Sequence, residues 1–309
     1  DILPKDKKIL VVVPTVSLVS QMYEDFKEYS KTDSTFDVAE ECHGVFAGQD
    51  KINDSRIIIS TWQSIYKLKQ KYFDNFGAVF GDECHLFKSK SLTSIMSKLK
   101  TCPYRIGTTG TLDGTQTHKL VIEGLFGSVY NVIKTSELME KDLLSKLSID
   151  CILLKHTKEE RKVMKRAKYF DELEYLVQND VRNNFIADMT KNLKGNTLVL
   201  FQLVNKHGKG LHKLIQKKCP NHKVFFVFGG TDAEDRENVR KLTEDNDNAI
   251  IVASYGTFST GISIRRLHNI IFASPSKSRI RVLQSIGRQL RKSKYKEEAK
   301  LYDIGDDLT

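Results

Sequence analysis

A rhythm constrains this chain before any single motif does: short β-branched apolar runs alternate with longer amphipathic stretches from one end to the other. Runs that are apolar at every position suit parallel strands covered on both faces by crossover helices, so the pattern predicts an α/β fold with mostly parallel sheets. In the first half the runs are Ile9–Val13, Ile57–Ile59, Ala78–Phe80 and Tyr104–Gly107, with helical patterns at Ser17–Tyr29 and Ser91–Leu99. A second series, Thr197–Phe201, Val224–Phe228, Ala249–Ala253, Ile270–Ala273 and Leu301–Ile304, predicts another unit of the same kind. Between the two lies a highly charged region from about Lys141 to Arg182, in which Lys158–Lys168 is almost continuously polar and reads as a solvated helix face. The boundary is expected near residue 147, because Ile149–Leu154 starts a new apolar run, and two domains suit a length of 309 residues. In open α/β sheets ligands bind at the carboxyl ends of strands, so chemistry is expected just after the runs.

Composition narrows the function classes. No run approaches the roughly 18 apolar residues of a membrane-spanning helix, and no membrane association is expected. The cysteines Cys42, Cys84, Cys102, Cys151 and Cys219 form no C-x-x-C pair, which argues against zinc and a disulfide framework and for a reducing, cytoplasmic setting. Forty-nine basic against thirty-nine acidic residues give a net charge of +10, a balance suited to a polyanion such as nucleic acid. Charge of this size is weak evidence, since many basic proteins touch no nucleic acid. The chain starts at Asp1 with no initiator Met and no signal-like stretch, and is expected to be an interior piece of a longer polypeptide.

Two strings carry the chemistry. Asp82-Glu83-Cys84-His85 directly follows the run Ala78–Phe80. An acidic pair at a strand end can hold Mg²⁺ through one carboxylate while the other orients or deprotonates an attacking water, the requirement of nucleotide hydrolysis. A bare Asp-Glu pair is more often a solvated turn; the four-residue string at a strand end favours the site. The second string, Gln284-Ser285-Ile286-Gly287-Arg288-Gln289-Leu290-Arg291, lies in a helical pattern. Gln284, Arg288 and Arg291 are spaced i, i+4 and i+7 and share a helix face, where two guanidinium forks suit charge developing on a γ-phosphate. By itself that segment reads equally well as a basic surface helix.

D-E-C-H in one α/β unit and Q-x-x-G-R-x-x-R late in the next resemble the arrangement of superfamily-two helicases and translocases. Other stretches resemble that family's motifs in the same order: Val12–Gln21 with Pro14-Thr15, then Ser60–Ser64, then Gly107–Leu112, Phe201–Val204 and Ala253–Ile264. The resemblance covers nearly the whole chain and implies two RecA-like lobes. It assigns Mg²⁺ to Asp82, water activation to Glu83, and γ-phosphate sensing or lobe linkage to His85. ATP would be met by Asp82 together with Gly261, Arg288 and Arg291, with Gln284 beside them, and the arginines would complete the site when the lobes close. Thr109, Gly110 and Thr111 would couple hydrolysis to movement. Pro14, Thr15, Thr61, Trp62, Gln63, Ser254 and Thr257 would contact nucleic acid, mainly through its backbone. The wording of these motifs is most similar to repair and recombination helicases of T-even phages, which implies branched DNA as the partner, including stalled forks and Holliday junctions, and RNA–DNA hybrids as a further substrate.

The sequence departs from the family in one respect. A working member needs a G-x-x-x-x-G-K-S/T loop to cradle phosphates, and no such match occurs; Gly208-Lys209-Gly210 lacks the upstream Gly and the hydroxyl residue. The loop is expected upstream of Pro14 in a missing part, leaving the first lobe incomplete, nucleotide binding weak and a sheet edge unpaired. Two rivals stand beside the helicase reading: another superfamily-two translocase, such as a restriction-complex motor or an RNA helicase, and a non-catalytic nucleic-acid-binding subunit that kept the lobes. The remaining histidines, His207 among them, show no metal-ligand spacing and are expected on the surface or in the core. The aromatic faces of Trp62 and Tyr66 suit base stacking, although helix packing is the stronger expectation for Tyr66.

Overall fold

The computed structural model of the chain describes residues 3–33, 35–45, 50–110, 116–259, 264–276, 282, 285–287, 290, 292 and 296–308. They form two compact units, Asp1–Asn131 and Val132–Thr309. The boundary falls earlier than residue 147, because the helix Thr135–Glu140 leads into a strand that begins at Lys146 and pairs within the second sheet. Ser145, one residue before that strand, already donates its backbone N–H to the Leu290 carbonyl.

The first unit is a five-stranded sheet built from β1 (Lys8–Val13), β2 (Cys42–Val45), β3 (Ile57–Thr61), β4 (Phe76–Gly81) and β5 (Tyr104–Gly107), in the order β2-β3-β1-β4-β5. Every pairing is parallel. The period of two explains why β1 is apolar throughout: Leu10 and Val12 enter one core with Ile58, Val79 and Phe87, while Val11 and Val13 enter another with Val19 and Ile59. β2 is the strand that the sequence did not announce. Cys-His-Gly-Val holds no continuous apolar run, and parallel pairing with β3 makes it a strand. At the other edge β5 has no further strand beside it among the described residues, and Tyr104 and Ile106 are exposed.

The second unit has six strands, β6 (Lys146–Lys155), β7 (Thr197–Phe201), β8 (Lys223–Val227), β9 (Ala249–Ser254), β10 (Asn269–Phe272) and β11 (Glu298–Asp307), in the order β6-β11-β10-β7-β9-β8, again all parallel. Alternation recurs here: Leu198, Leu200, Ile251 and Ile270 pack on one face, and Val199, Phe201, Ile250 and Ile271 on the other. No helix among the described residues is long and apolar enough to cross a membrane.

Candidate functional site

Because the first sheet is wholly parallel, the carboxyl ends of its strands share one edge. Register places Val13 beside Thr61, Val12 beside Gly81, and Gly81 beside Gly107. Pro14-Thr15, Thr61–Gln63, Asp82–His85 and Thr108–Gly110 therefore emerge along a single line, as expected of ligand-binding turns.

At the centre of that line the chain turns sharply after β4. Glu83 adopts a left-handed backbone (φ 48°, ψ 49°), a conformation that costs a residue with a Cβ about 1–2 kcal/mol. The short 3₁₀ turn Cys84–Lys88 then folds back over the strand ends. Two glycines permit this. A Cβ on Gly81 would lie 2.8 Å from Phe87 and 2.9 Å from Phe126, and one on Gly107 would lie 2.9 Å from the Cβ of Cys84. Backbone bonds hold the turn, with the Asp82 N–H donating to Val12, the Cys84 N–H to Thr108, and the Thr108 N–H to Gly81.

The polar side chains of the turn interlock with the end of β5. Thr108 Oγ1 donates to Asp82 Oδ1 at 3.2 Å, and Thr109 Oγ1 donates to Glu83 Oε2 at 3.4 Å. His85 Nδ1 lies 2.9 Å from Thr109 Oγ1 and 3.1 Å from Glu83 Oε2, closing a triangle that joins the acid pair to the small-residue turn. His85 is buried, whereas Asp82 and Glu83 are partly exposed. Cys84 is not a nucleophile here: burial, helped by the charges of Glu83 and Asp82, pushes its thiol up to about 11.

The predicted nucleic-acid contacts divide by environment. Pro14 and Thr15 sit at the amino end of the helix Val16–Tyr29, where Thr15 Oγ1 accepts from the Leu18 N–H. Gln63 is exposed, but Thr61 is buried and within 2.9 Å of Ser64 Oγ. Trp62 and Tyr66 pack against the first core, edge to face at 5.7 Å. In the second unit Ser254 and Thr257 are buried and share a 2.7 Å hydroxyl pair. Those three hydroxyl side chains shape backbone and present little of themselves to a ligand. Thr111, Gly261, Gln284, Arg288 and Arg291 lie outside the described residues.

The second sheet also brings its motif residues to one carboxyl edge, with Phe201 beside Ser254 and Leu200 beside Phe272. There the structure reveals a polar network that no local pattern announces. His207, 1% exposed, lies 2.9 Å from Ser274 Oγ and 3.0 Å from Asn183 Oδ1. Ser274 Oγ accepts the Gln202 N–H, and the Tyr255 hydroxyl donates to the Ser274 carbonyl. Burial pushes His207 down to about 3, so the ring is neutral and works as a strut. Beside it the buried Arg182 donates from Nε to both Asp306 oxygens and from Nη1 to the Ala273 carbonyl. The partners in these pairs stand 67 and 124 residues apart, beyond the reach of sequence periodicity.

Comparison with known proteins agrees with this architecture. Residues 2–114 match the family model "Type III restriction enzyme, res subunit", and residues 179–293 match "Helicase conserved C-terminal domain". The chain is 36% identical over 303 residues to the ATP-dependent DNA helicase uvsW of Enterobacteria phage T4, an alignment covering 97% of this chain and 59% of that protein. It is 22% identical to the DNA 3'-5' translocase XPB2 of Sulfurisphaera tokodaii, over 96% of this chain and 71% of the relative. The solved structure of S. cerevisiae Dbp5 bound to RNA and ADP BeF3 superposes with a TM-score of 0.64 at 12% identity, covering 99% of this chain and 73% of that one, which supports the fold alone. The chain thus spans about three fifths of the phage relative's length. The restriction-enzyme res-subunit model and the helicase C-terminal model follow one another along the chain, and with the parallel sheets of the matching fold they show that it carries the paired domains of superfamily-two helicases.

Proposed function

We propose that these two lobes are the motor of an ATP-dependent DNA helicase or translocase that acts on branched DNA. The observation that carries the reading is the Glu83–His85–Thr109 triangle at the ends of β4 and β5. It gives a carboxylate suited to orienting water, held in a left-handed turn, a direct hydrogen-bond route to the coupling residue Thr109, with Gly110 and Thr111 next in sequence. Backbone strain of this kind persists where surrounding contacts over-determine it, and it clusters at active sites.

The donor set suits a nucleotide-bound Mg²⁺. That ion takes one or two carboxylates plus phosphate oxygens and keeps its waters, and Asp82 is the carboxylate that would hold it. Among the described residues there is no group of three or more His, Cys, Asp or Glu that would make a protein-only cage. When bound, the ion neutralises phosphate charge. On the protein's side Glu83 would orient water, His85 would fix the Glu83 carboxylate, and Arg288 and Arg291, with Gln284 and Gly261, would stabilise anionic oxygens. Pro14, Thr15, Trp62 and Gln63 would line the nucleic-acid track, with Thr61, Ser254 and Thr257 setting its backbone. Similarity to the phage DNA helicase supports DNA as the partner; branched DNA, and RNA–DNA hybrids as a further substrate, extend that reading through the resemblance of the motifs.

The test is DNA-stimulated ATP hydrolysis by the natural gene product, beside this 309-residue chain and a Glu83→Gln version of the natural product. Turnover by the natural product on branched DNA, weak turnover by the 309-residue chain and a loss in the variant are expected. Turnover that is indifferent to Glu83→Gln would sink the assignment, and absence of ATP hydrolysis in every form would favour a nucleic-acid-binding subunit.

A further inference from the structure

The charged stretch that follows β6 has no part in the site described above. β10 ends at Phe272, opposite Asp303, but β11 continues to Asp307 and β6 to Lys155, its register partner. At about 3.3 Å per residue, these two strands carry the chain roughly 13 Å past β10 on the carboxyl edge. The helix Lys158–Met164 stands there, and Lys165, its C-cap, keeps helical backbone angles.

Its acidic neighbours are already engaged. Glu160 closes a capping box with Thr157 and accepts from the Tyr175 hydroxyl at 2.6 Å. Asp306 is held by Arg182 and by His156 Nε2 at 3.0 Å, and Asp307 pairs with Arg161. This anchoring ties the helix to the sheet and pairs three carboxylates, of which Asp306 is buried while Glu160 and Asp307 stay partly exposed. What remains outside is cationic. Lys158, Lys162 and Lys165 follow one another at i, i+4 and i+7, are exposed, and are flanked by exposed Arg166 and Lys168 against Glu159 as the remaining exposed acid of the helix. Phe170, 67% exposed, adds an aromatic face beside them.

We infer that this basic helix is a second nucleic-acid contact, a phosphate-binding stripe outside the motif track that extends the bound path along the carboxyl edge of the second sheet. The occupant is set by charge complementarity, because a row of fixed cations one helix face wide matches the regular anionic spacing of a sugar–phosphate backbone. Its position agrees. β6 stands three strands from β7, about 14 Å at the usual strand spacing, and the stripe lies roughly 13 Å farther along the strands, so it is on the order of 19 Å, or about six nucleotide steps, from the turn that follows β7. Phe170 is placed to stack on a base or to cover a sugar.

The inference rests on the nucleic-acid reading above, and its test separates the two. Binding of a labelled three-way DNA junction is measured against KCl concentration for the wild-type chain, for the Lys158→Gln, Lys162→Gln, Lys165→Gln triple variant, and for a matched Lys209→Gln, Lys213→Gln, Lys217→Gln variant on another exposed helix. Removing one lysine–phosphate pairing lowers the slope of log K against log salt by about 0.9, so the slope of the first variant should fall by about 2 to 3 while the second keeps the wild-type value. Thermal melting is followed in all three, and equal midpoints are expected because the substituted side chains are exposed. Equal slopes in all three proteins, or equal reductions in both variants, overturn the stripe. Failure of the wild-type chain to bind DNA at low salt overturns the nucleic-acid reading itself. Loss of binding to vesicles of anionic lipid in the first variant, with DNA binding unchanged, assigns the surface to a membrane and also overturns the proposal.

Discussion

The two units present the same architectural feature, the carboxyl edge of a parallel sheet, and use it in opposite ways. In the first unit that edge is strained and partly open: Glu83 is left-handed, Asp82 and Glu83 are partly exposed, and the glycine pair Gly81 and Gly107 lets the acid turn press against β4 and β5. In the second unit the described part of the edge is largely buried and paired, with Gln202 Oε1 the exception, buried without a hydrogen-bond partner. Ser254 pairs with Thr257, His207 bridges Ser274 and Asn183, and Arg182 pairs with Asp306. One edge holds reactive groups at a cost to the backbone, and the other is a rigid frame whose polar groups face one another. Substitutions of the acid pair at the first edge should therefore cost activity, whereas substitutions in the buried network of the second, or in the packing and capping residues around the acid turn, should cost stability.

The most direct challenge to that contrast is Glu83→Gln, which keeps the size and the backbone but removes the charge. Hydrolysis by the natural product should fall by about 10²- to 10⁴-fold, the usual worth of a positioned base, while the melting midpoint stays within experimental error. A large fall in melting would make Glu83 structural. Next in size is Arg182→Ala, which leaves Asp306 buried against His156 without its main counter-charge. A loss of about 3–5 kcal/mol is expected, read as faster hydrogen exchange in β7, β10 and β11 with the first sheet unaffected.

His207 gives the comparison a pH axis. Its folded value, near 3, lies below the ordinary histidine value of 6.5, so the unfolded chain binds more protons between those limits. Its contribution is fully present above about 6.5 and is lost as pH falls toward 3. Urea titrations of the second unit should show this acid sensitivity, and His207→Gln should flatten it between pH 6 and pH 4. Gly107→Ala should cost the first unit about 1–3 kcal/mol, because its Cβ would meet the Cys84 Cβ at 2.9 Å and the Phe126 ring at 3.0 Å. The smallest effect belongs to Thr15→Ala, which removes a helix cap and should cost about 1 kcal/mol by the same exchange measurement.

Local signals in the sequence were sufficient for the class, the series of main strands and the place of the acid pair. Runs such as Ile9–Val13 are apolar at every position because parallel strands are covered on both faces, and Asp82-Glu83 comes directly after such a run. The remaining features needed the folded chain. Folding made Cys42–Val45 a strand by pairing it with β3, moved the boundary ahead of residue 147, turned Thr61, Ser254 and Thr257 inward, and set Glu83 in a left-handed turn. It also resolved the charged stretch after β6 into carboxylates paired with their neighbours and an exposed row of lysines. The physical reason is range. Hydrophobic periodicity reports which face of an element is covered, whereas a buried polar group is defined by its partner, and Arg182 finds Asp306 across 124 residues through strand order that no window of sequence contains.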